Sequence, residues 1–189
     1  MKINKFYVIA GHSYKFPGAM AYNSVYEHFY NLKLQKKIAK NIQDSSIALV
    51  KDTEDKNLLE TITWINSTSS QGDFGLDIHF NFNHPTATGT EVFIHPNTPD
   101  KNREVASRMV NSISNILEIP VRKTVENRDF KYPTESNLGR LGIIENTRIP
   151  FILIEVCFLN SIDLPKYIGK EDNVSKAILE SYNLNFRKS

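Results

Sequence analysis

Short apolar runs alternate with helical periodicities along the chain. Phe6 to Ala10 reads as a first strand. A helix is predicted from about Ser24 to Gln43, with Val25, Phe29, Leu32, Ile38 and Ile42 approximating one face. Ile47 to Val50 is a short buried strand. Thr53 is placed to cap a second helix bearing Leu58, Leu59, Ile62 and Ile65. Gly72 and Gly75 break the chain before a strand at Leu76 to Asn81, and Gly89 to Ile94 forms another, closed by Pro96 and Pro99. Val105, Met109, Ile113 and Ile116 recur at helical spacing, which predicts a helix from Asn102 to Leu117. Arg122 to Arg140 is polar and irregular and reads as a long loop. Leu141 to Glu145 is read as a short strand, Phe151 to Val156 as the most apolar strand, and Asp172 to Tyr182 as a last helix. This alternation predicts an α/β fold, an open, twisted, mostly parallel sheet with helices on both faces.

Sites in such sheets gather at the carboxyl ends of the strands. His12 follows the first strand, His79 lies near the end of the third, and Glu155 lies near the end of the most apolar one. Glu27 is expected one turn into the first helix. Two imidazoles and a carboxylate suit zinc, which keeps a fourth position for water in catalytic sites. A further carboxylate can take the proton of that water. On this reading His12, Glu27 and His79 are ligands and Glu155 is the base. Each also has a plainer reading: a surface histidine, a solvated helix charge, a hydrogen-bonded core histidine. Glu155 is the exception, because a carboxylate inside an apolar strand is costly without a partner.

The length of 189 residues fits one domain spanning 1–189. An apolar fraction of 40% and a charged fraction of 23% are those of an ordinary globular chain. The net charge of +2 does not point to nucleic acid. With one cysteine, Cys157, an internal disulfide is excluded; it reads as a nucleophile, a fourth ligand or, best, a small core thiol. No run approaches the ~20 apolar residues of a membrane-spanning helix, so no membrane insertion is expected. The apolar run before Ala10 is too short for a signal sequence. The expectation is synthesis in the cytoplasm without a signal peptide.

Several segments occur in a telling order: "AGHSYKFPGA" at Ala10–Ala19, then Glu27, "IHFN" at Ile78–Asn81, "GTEVF" at Gly89–Phe93 and "RLGIIENTRIPFILIEVCFLNS" at Arg140–Ser161. Together they resemble the zinc-dependent N-acetylmuramoyl-L-alanine amidases of bacteria and phages, over nearly the whole chain. The resemblance implies one Zn2+ per chain on His12, Glu27 and His79, with Glu155 catalytic. It implies peptidoglycan as the partner, cut between N-acetylmuramic acid and L-alanine. Arg140 would border the cleft, and Asn81 and Glu91 are candidates for substrate binding or for orienting a ligand. Asp77 stands where family members often have Ser, and Cys157 where they often have Gly. Without a signal peptide, the implied setting is a phage or prophage lysin that reaches the wall through a phage pore. Two other functions fit the same residues: a silent peptidoglycan-binding or virion module, and a zinc peptidase that cuts within the stem peptide. His28 is expected to face away from Glu27, His84 to lie in the loop after the third strand, and His95 to carry no chemistry.

Overall fold

The computed structural model describes residues 4–43, 47–51, 56–82, 84–136 and 141–184. In chain order the elements are β1 (Asn4–Ala10), α1 (Glu27–Asn41), β2 (Ile47–Lys51), α2 (Leu58–Thr68), β3 (Phe74–Asn81), β4 (Glu91–Ile94), α3 (Asp100–Leu117), α4 (Gly142–Asn146), β5 (Phe151–Phe158), α5 (Leu164–Tyr167) and α6 (Glu171–Ser181). The strands form one sheet in the order β2-β1-β3-β5-β4. β2, β1, β3 and β5 run parallel, and β4 runs antiparallel to β5 at the edge. The chain leaves β1 toward β2 on one side and places β3 on the other. The crevice at the carboxyl ends of β1 and β3 is therefore a switch point, where open sheets accept ligands.

Strand alternation divides the core. Phe6 and Val8, Leu76 and Ile78, and Ile152 and Ile154 face a large cluster with residues of α1, α3 and α6. Tyr7 and Ile9 and Phe151 and Leu153 face the opposite side, with Ile65 of α2 and Ile143 and Ile144 of α4. Helices thus cover both faces. Period-two alternation in buried parallel strands makes this two-sided arrangement necessary.

Some local expectations fail for physical reasons. Residues 141–145 fold largely as helix α4, not as a strand. β5 already has β3 on one side and β4 on the other, so the apolar residues of this segment pack on the sheet face instead. α2 starts after Asn57, whose side chain accepts from the Glu60 N–H while Glu60 returns a bond to the Asn57 N–H; Thr53 lies outside the described residues. Leu58 and Leu59 are exposed, and Ile65 alone of the predicted apolar set is fully buried. Part of the long polar segment runs beside β4. Lys131 N–H donates to Val92 O and Lys131 O accepts from Ile94 N–H, which covers the free edge of that strand.

The face of α1 differs most from expectation. Phe29 is exposed, whereas His28, Asn31, Gln35 and Asn41 are buried alongside Tyr30, Leu34 and Ile38. The polar members bond inward: Gln35 Nε2 to Val8 O (2.8 Å) and Asn31 Nδ2 to Gly11 O (2.8 Å). Asn41 Nδ2 reaches Ser175 Oγ on α6 (2.6 Å). A helix that ties down backbone carbonyls with amides has a weak apolar pattern, which is why periodicity misplaces its face. Among the described residues no helix is long and apolar enough to cross a membrane.

α6 is tied to α1 by Lys33 Nζ and Glu171 Oε1 at 2.6 Å. Burial raises the Glu171 pKa, but the bond to Lys33, the Lys33 charge and backbone hydrogen bonds together outweigh it, and the net shift is downward. A depressed carboxylate pKa contributes stability above its unfolded value, and that contribution is lost as pH falls through the folded value. Glu171→Gln is therefore expected to cost about 1 kcal/mol near pH 7, a modest figure because Lys33 is partly solvated. The difference from wild type should vanish in acid below the carboxylate range, as read by denaturant melts across pH.

Candidate metal centre

β1 delivers its chain end to β3: Gly11 N–H donates to Ile78 O at 2.9 Å. His12 then adopts a left-handed backbone, φ 68°. The turn that ends the strand is thus made by the histidine itself. Glycine is required at position 11 by close approach. A Cβ there would lie 2.7 Å from Ile78 O and against the His79 ring. The following loop closes on itself through Ser13 and Phe16 and then caps α1. Ala19 O accepts from Glu27 N–H (2.8 Å) and Pro17 O from His28 N–H (3.0 Å). Helix α1 consequently begins at Glu27, not a turn earlier. The segment before it is held in a turn, with Ser24 at φ 64° and Ala21 N–H bonded to Val25 O.

Glu27 enters at the helix N-terminus, where peptide dipoles favour a negative charge. Its carboxylate is held on both oxygens. Oε1 accepts from Phe80 N–H at 3.1 Å and lies 3.0 Å from His79 Nδ1. Oε2 accepts from Ala19 N–H at 3.2 Å and lies 2.9 Å from His12 Nε2. Burial would raise its pKa, but the bonds to His12 and His79 prevail and hold it far below the carboxylate range. His79 shows the converse. Burial disfavours its charged form, yet Asp77 and Glu27 hold its pKa well above the usual imidazole value. Asp77 Oδ2 is 3.4 Å from His79 Nε2, so the ring is set between two carboxylates.

One nitrogen each from His12 and His79 and one Glu27 oxygen lie within 4.8 Å of one another. The donor chemistry is that of a zinc site with three protein ligands. Gly18 shapes the same spot: its φ is +77°, and a Cβ there would lie 2.6 Å from both Glu27 Oε2 and His12 Cδ2. His12, Glu27, His79 and Glu155 all line one cavity of about 730 Å³. Glu155 is the cross-strand partner of His79. Its Oε2 is buried without a hydrogen-bond partner among the described residues. Burial drives its pKa well up; His79 opposes this, while Glu27, Glu91 and Asp77 add to it. Glu27, Asp77 and Glu155 outnumber the two imidazoles of His12 and His79, a balance that suits a dication.

Asn81 lines the same cavity but bonds to Glu91, outside the cluster of His12, Glu27 and His79. Asn81 Nδ2 donates to Glu91 Oε1 at 2.7 Å, and Lys131 Nζ approaches Oε2 at 2.5 Å. Arg140 lies outside the described residues. His28 bonds elsewhere than Glu27: its Nδ1 is 3.0 Å from Gly11 O, so with Asn31 it braces the His12 loop. His84 sits in the loop after β3, its ring edge-on to Phe82. Cys157 is fully buried, and burial pushes its thiol pKa up, which suits packing and not nucleophilic attack. Sequence reasoning missed Asp77 as the neighbour of His79, and missed Lys131 and Arg122 around Glu91. The i, i+2 spacing of Asp77 and His79 on one strand face is the signal that marks the first. Lys131 and Arg122 reach Glu91 across the fold, with no local signal.

A family model described as N-acetylmuramoyl-L-alanine amidase matches residues 7–183. The chain belongs to this amidase family. The family activity is hydrolysis of a peptidoglycan amide bond, and the protein is accordingly a hydrolase of the cell wall. The uncharacterized protein YqiI of Bacillus subtilis (strain 168) is 25% identical over 174 residues, covering 90% of this chain and 78% of that one. The fold matches that of the N-acetylmuramoyl-L-alanine amidase from Clostridium difficile 630, with a TM-score of 0.80 at 22% identity over 97% of this chain and 96% of that one. It also matches the catalytic domain of CwlV from Bacillus (Paenibacillus) polymyxa var. colistinus, with a TM-score of 0.75 at 20% identity over 95% and 96% of the two chains.

The packing at Gly18 yields a direct test. Gly18→Ala places a methyl group against Glu27 and His12 on a left-handed backbone. It is expected to weaken zinc binding by ~10-fold or more, the scale seen when groups supporting a ligand are lost. Competition with a chromogenic chelator measures this, and far-UV circular dichroism should stay unchanged.

Proposed function

We propose that this amidase uses zinc, held by His12, Glu27 and His79, and cleaves the amide between the lactyl group of N-acetylmuramic acid and L-alanine. The observation that carries the reading is the convergence of those three donors beside Glu155, whose Oε2 has no partner. Zinc bound there supplies a Lewis acid that draws the pKa of water toward ~7, polarises the scissile carbonyl and favours the ionised form of Glu155.

The protein groups divide the remaining work. Glu27 is fixed on both oxygens by backbone N–H groups, so it cannot swing to act as a base. Asp77 and Glu27 hold the His79 ring from opposite sides. Glu155 accepts the proton of the attacking water. Its buried setting gives the carboxylic acid a high proton affinity, so it retains the proton until the amine of L-alanine departs and takes it. The carbon–oxygen bond forms, the carbon–nitrogen bond breaks, and the base returns to its starting state. The same chemistry serves a phage lysin and a cellular wall enzyme alike.

Glu155→Gln is expected to keep one zinc per chain by metal analysis and to lose ~10²–10⁴-fold in wall cleavage. His12→Ala and His79→Ala should lose both metal and activity. Near-normal cleavage by Glu155→Gln would overturn the role of the base. Mass spectrometry of digested walls should find peptides beginning with a free L-alanine amine. Cuts between amino acids would instead indicate a peptidase.

A further inference from the structure

A second cavity, of about 320 Å³, adjoins the first through Asn81 and Phe82, which line both. It lies on the β4 side of the site and is lined by Glu91, Lys131 and Arg122, among others. Its charges are unevenly matched. Glu91 is buried and fully engaged, by Asn81 on Oε1 and Lys131 on Oε2. Glu135 also lines it, but is engaged by Arg128 Nη2 at 2.9 Å and by Tyr132 N–H at 2.8 Å.

Arg122 is left over. Its Nε is 3.4 Å from Glu91 Oε1, within ion-pair range, but makes no hydrogen bond among the described residues. Its Nη1 makes one long bond, 3.5 Å, to Thr88 O. The guanidinium rests on the Phe158 ring at 5.0 Å, which fixes its plane. An arginine carries five donors in a rigid fork that matches a carboxylate. One that is oriented, under-bonded and open to a cavity is a ready carboxylate receptor.

We infer that Arg122, backed by Lys131, binds a free carboxylate of the stem peptide and so sets the direction in which substrate lies across the metal centre. This rests on the amidase reading above. The muramoyl side of the scissile bond is an uncharged glycan, since its lactyl carboxyl is tied up in the amide. The peptide side carries carboxylates. The other cavity wall offers Phe16, Leu58 and Ile143, an apolar lining suited to the sugar. Charge therefore directs the peptide toward β4 and the glycan toward α2. The enzyme then discriminates walls whose stem glutamate bears a free α-carboxylate from walls in which it is amidated.

The test is equilibrium binding to zinc-loaded full-length Glu155→Gln, which should not turn over its ligand. The probes are N-acetylmuramoyl-L-Ala-D-Glu and its α-carboxamide, both with the γ-carboxyl capped as an amide. The free acid should bind ~10-fold or more tightly than the amide, the scale of one charge-assisted contact, and the preference should shrink with added salt. Adding Arg122→Gln should make the two affinities converge, while Arg122→Lys should retain part of the preference. Thermal melts confirm that each variant is folded. Equal affinities before Arg122 is changed, no binding of either probe, or a preference that survives Arg122→Gln overturns the inference. Product analysis of wild-type digests reads the amidase chemistry independently. A wrong cleavage site with an intact preference would therefore fault the reaction and not the subsite.

Discussion

The site depends on a buried carboxylate. The Glu27 side chain is 5% exposed, and an ion in that position costs several kcal/mol unless its partners are in place. Those partners come from two separate segments: Ala19 and His12 from the loop after β1, and Phe80 and His79 from the end of β3. None can be missing without stranding the charge. The loop must therefore return to the start of α1, β1 must pair closely with β3, and Gly11 and Gly18 must leave room. The left-handed turn at His12 follows from the same demand. A geometry able to hold a metal is thus also the geometry that makes Glu27 tolerable without one.

The inner side of α1 extends this constraint along β1. Gln35 bonds to Val8 O, while Asn31 and His28 converge on Gly11 O. These groups occupy carbonyls just where the strand stops pairing regularly and bends into the loop. A leucine-rich face would bury more apolar area, but it would leave those carbonyls unsatisfied, a loss comparable to a hydrogen bond each. Polar residues inside this helix are the consequence of bending the strand end toward a site.

What the sequence reveals follows the range of the interactions. Strands such as Phe151–Phe158 are legible because burial on both faces needs a near-continuous apolar run. His12, His79 and Glu155 stand out because polar residues at strand ends are conspicuous against that run. The end of α3 at Leu117 is readable from periodicity and Pro120. The face of α1 is hidden, because amides substitute for apolar residues there. The helix at Gly142–Asn146 is hidden, because its fate depends on whether a sheet edge is free. The start of α1 at Glu27 is set by the carbonyls of Pro17 and Ala19, a loop contact that no periodicity encodes. Lys131 and Arg122 are beyond local reading, since each lies more than thirty positions from Glu91 and meets it only through the edge of β4.

Glu155 and Glu91 show how the fold assigns different roles to one residue type. They are register partners on adjacent strands, both buried. Glu91 faces an amide, a lysine and an arginine, so its charge is compensated and it serves as a post for its neighbours. Glu155 faces His79 across the strand pair but has one oxygen without a partner, and its pKa rises with burial. One carboxylate is held on both oxygens by its neighbours, and the other keeps an oxygen without a partner among the described residues. This difference arises at the single step from β5 to β4, where the sheet turns antiparallel. That edge strand brings Glu91 level with Glu155, and the segment covering it brings Lys131 to neutralise the one and not the other.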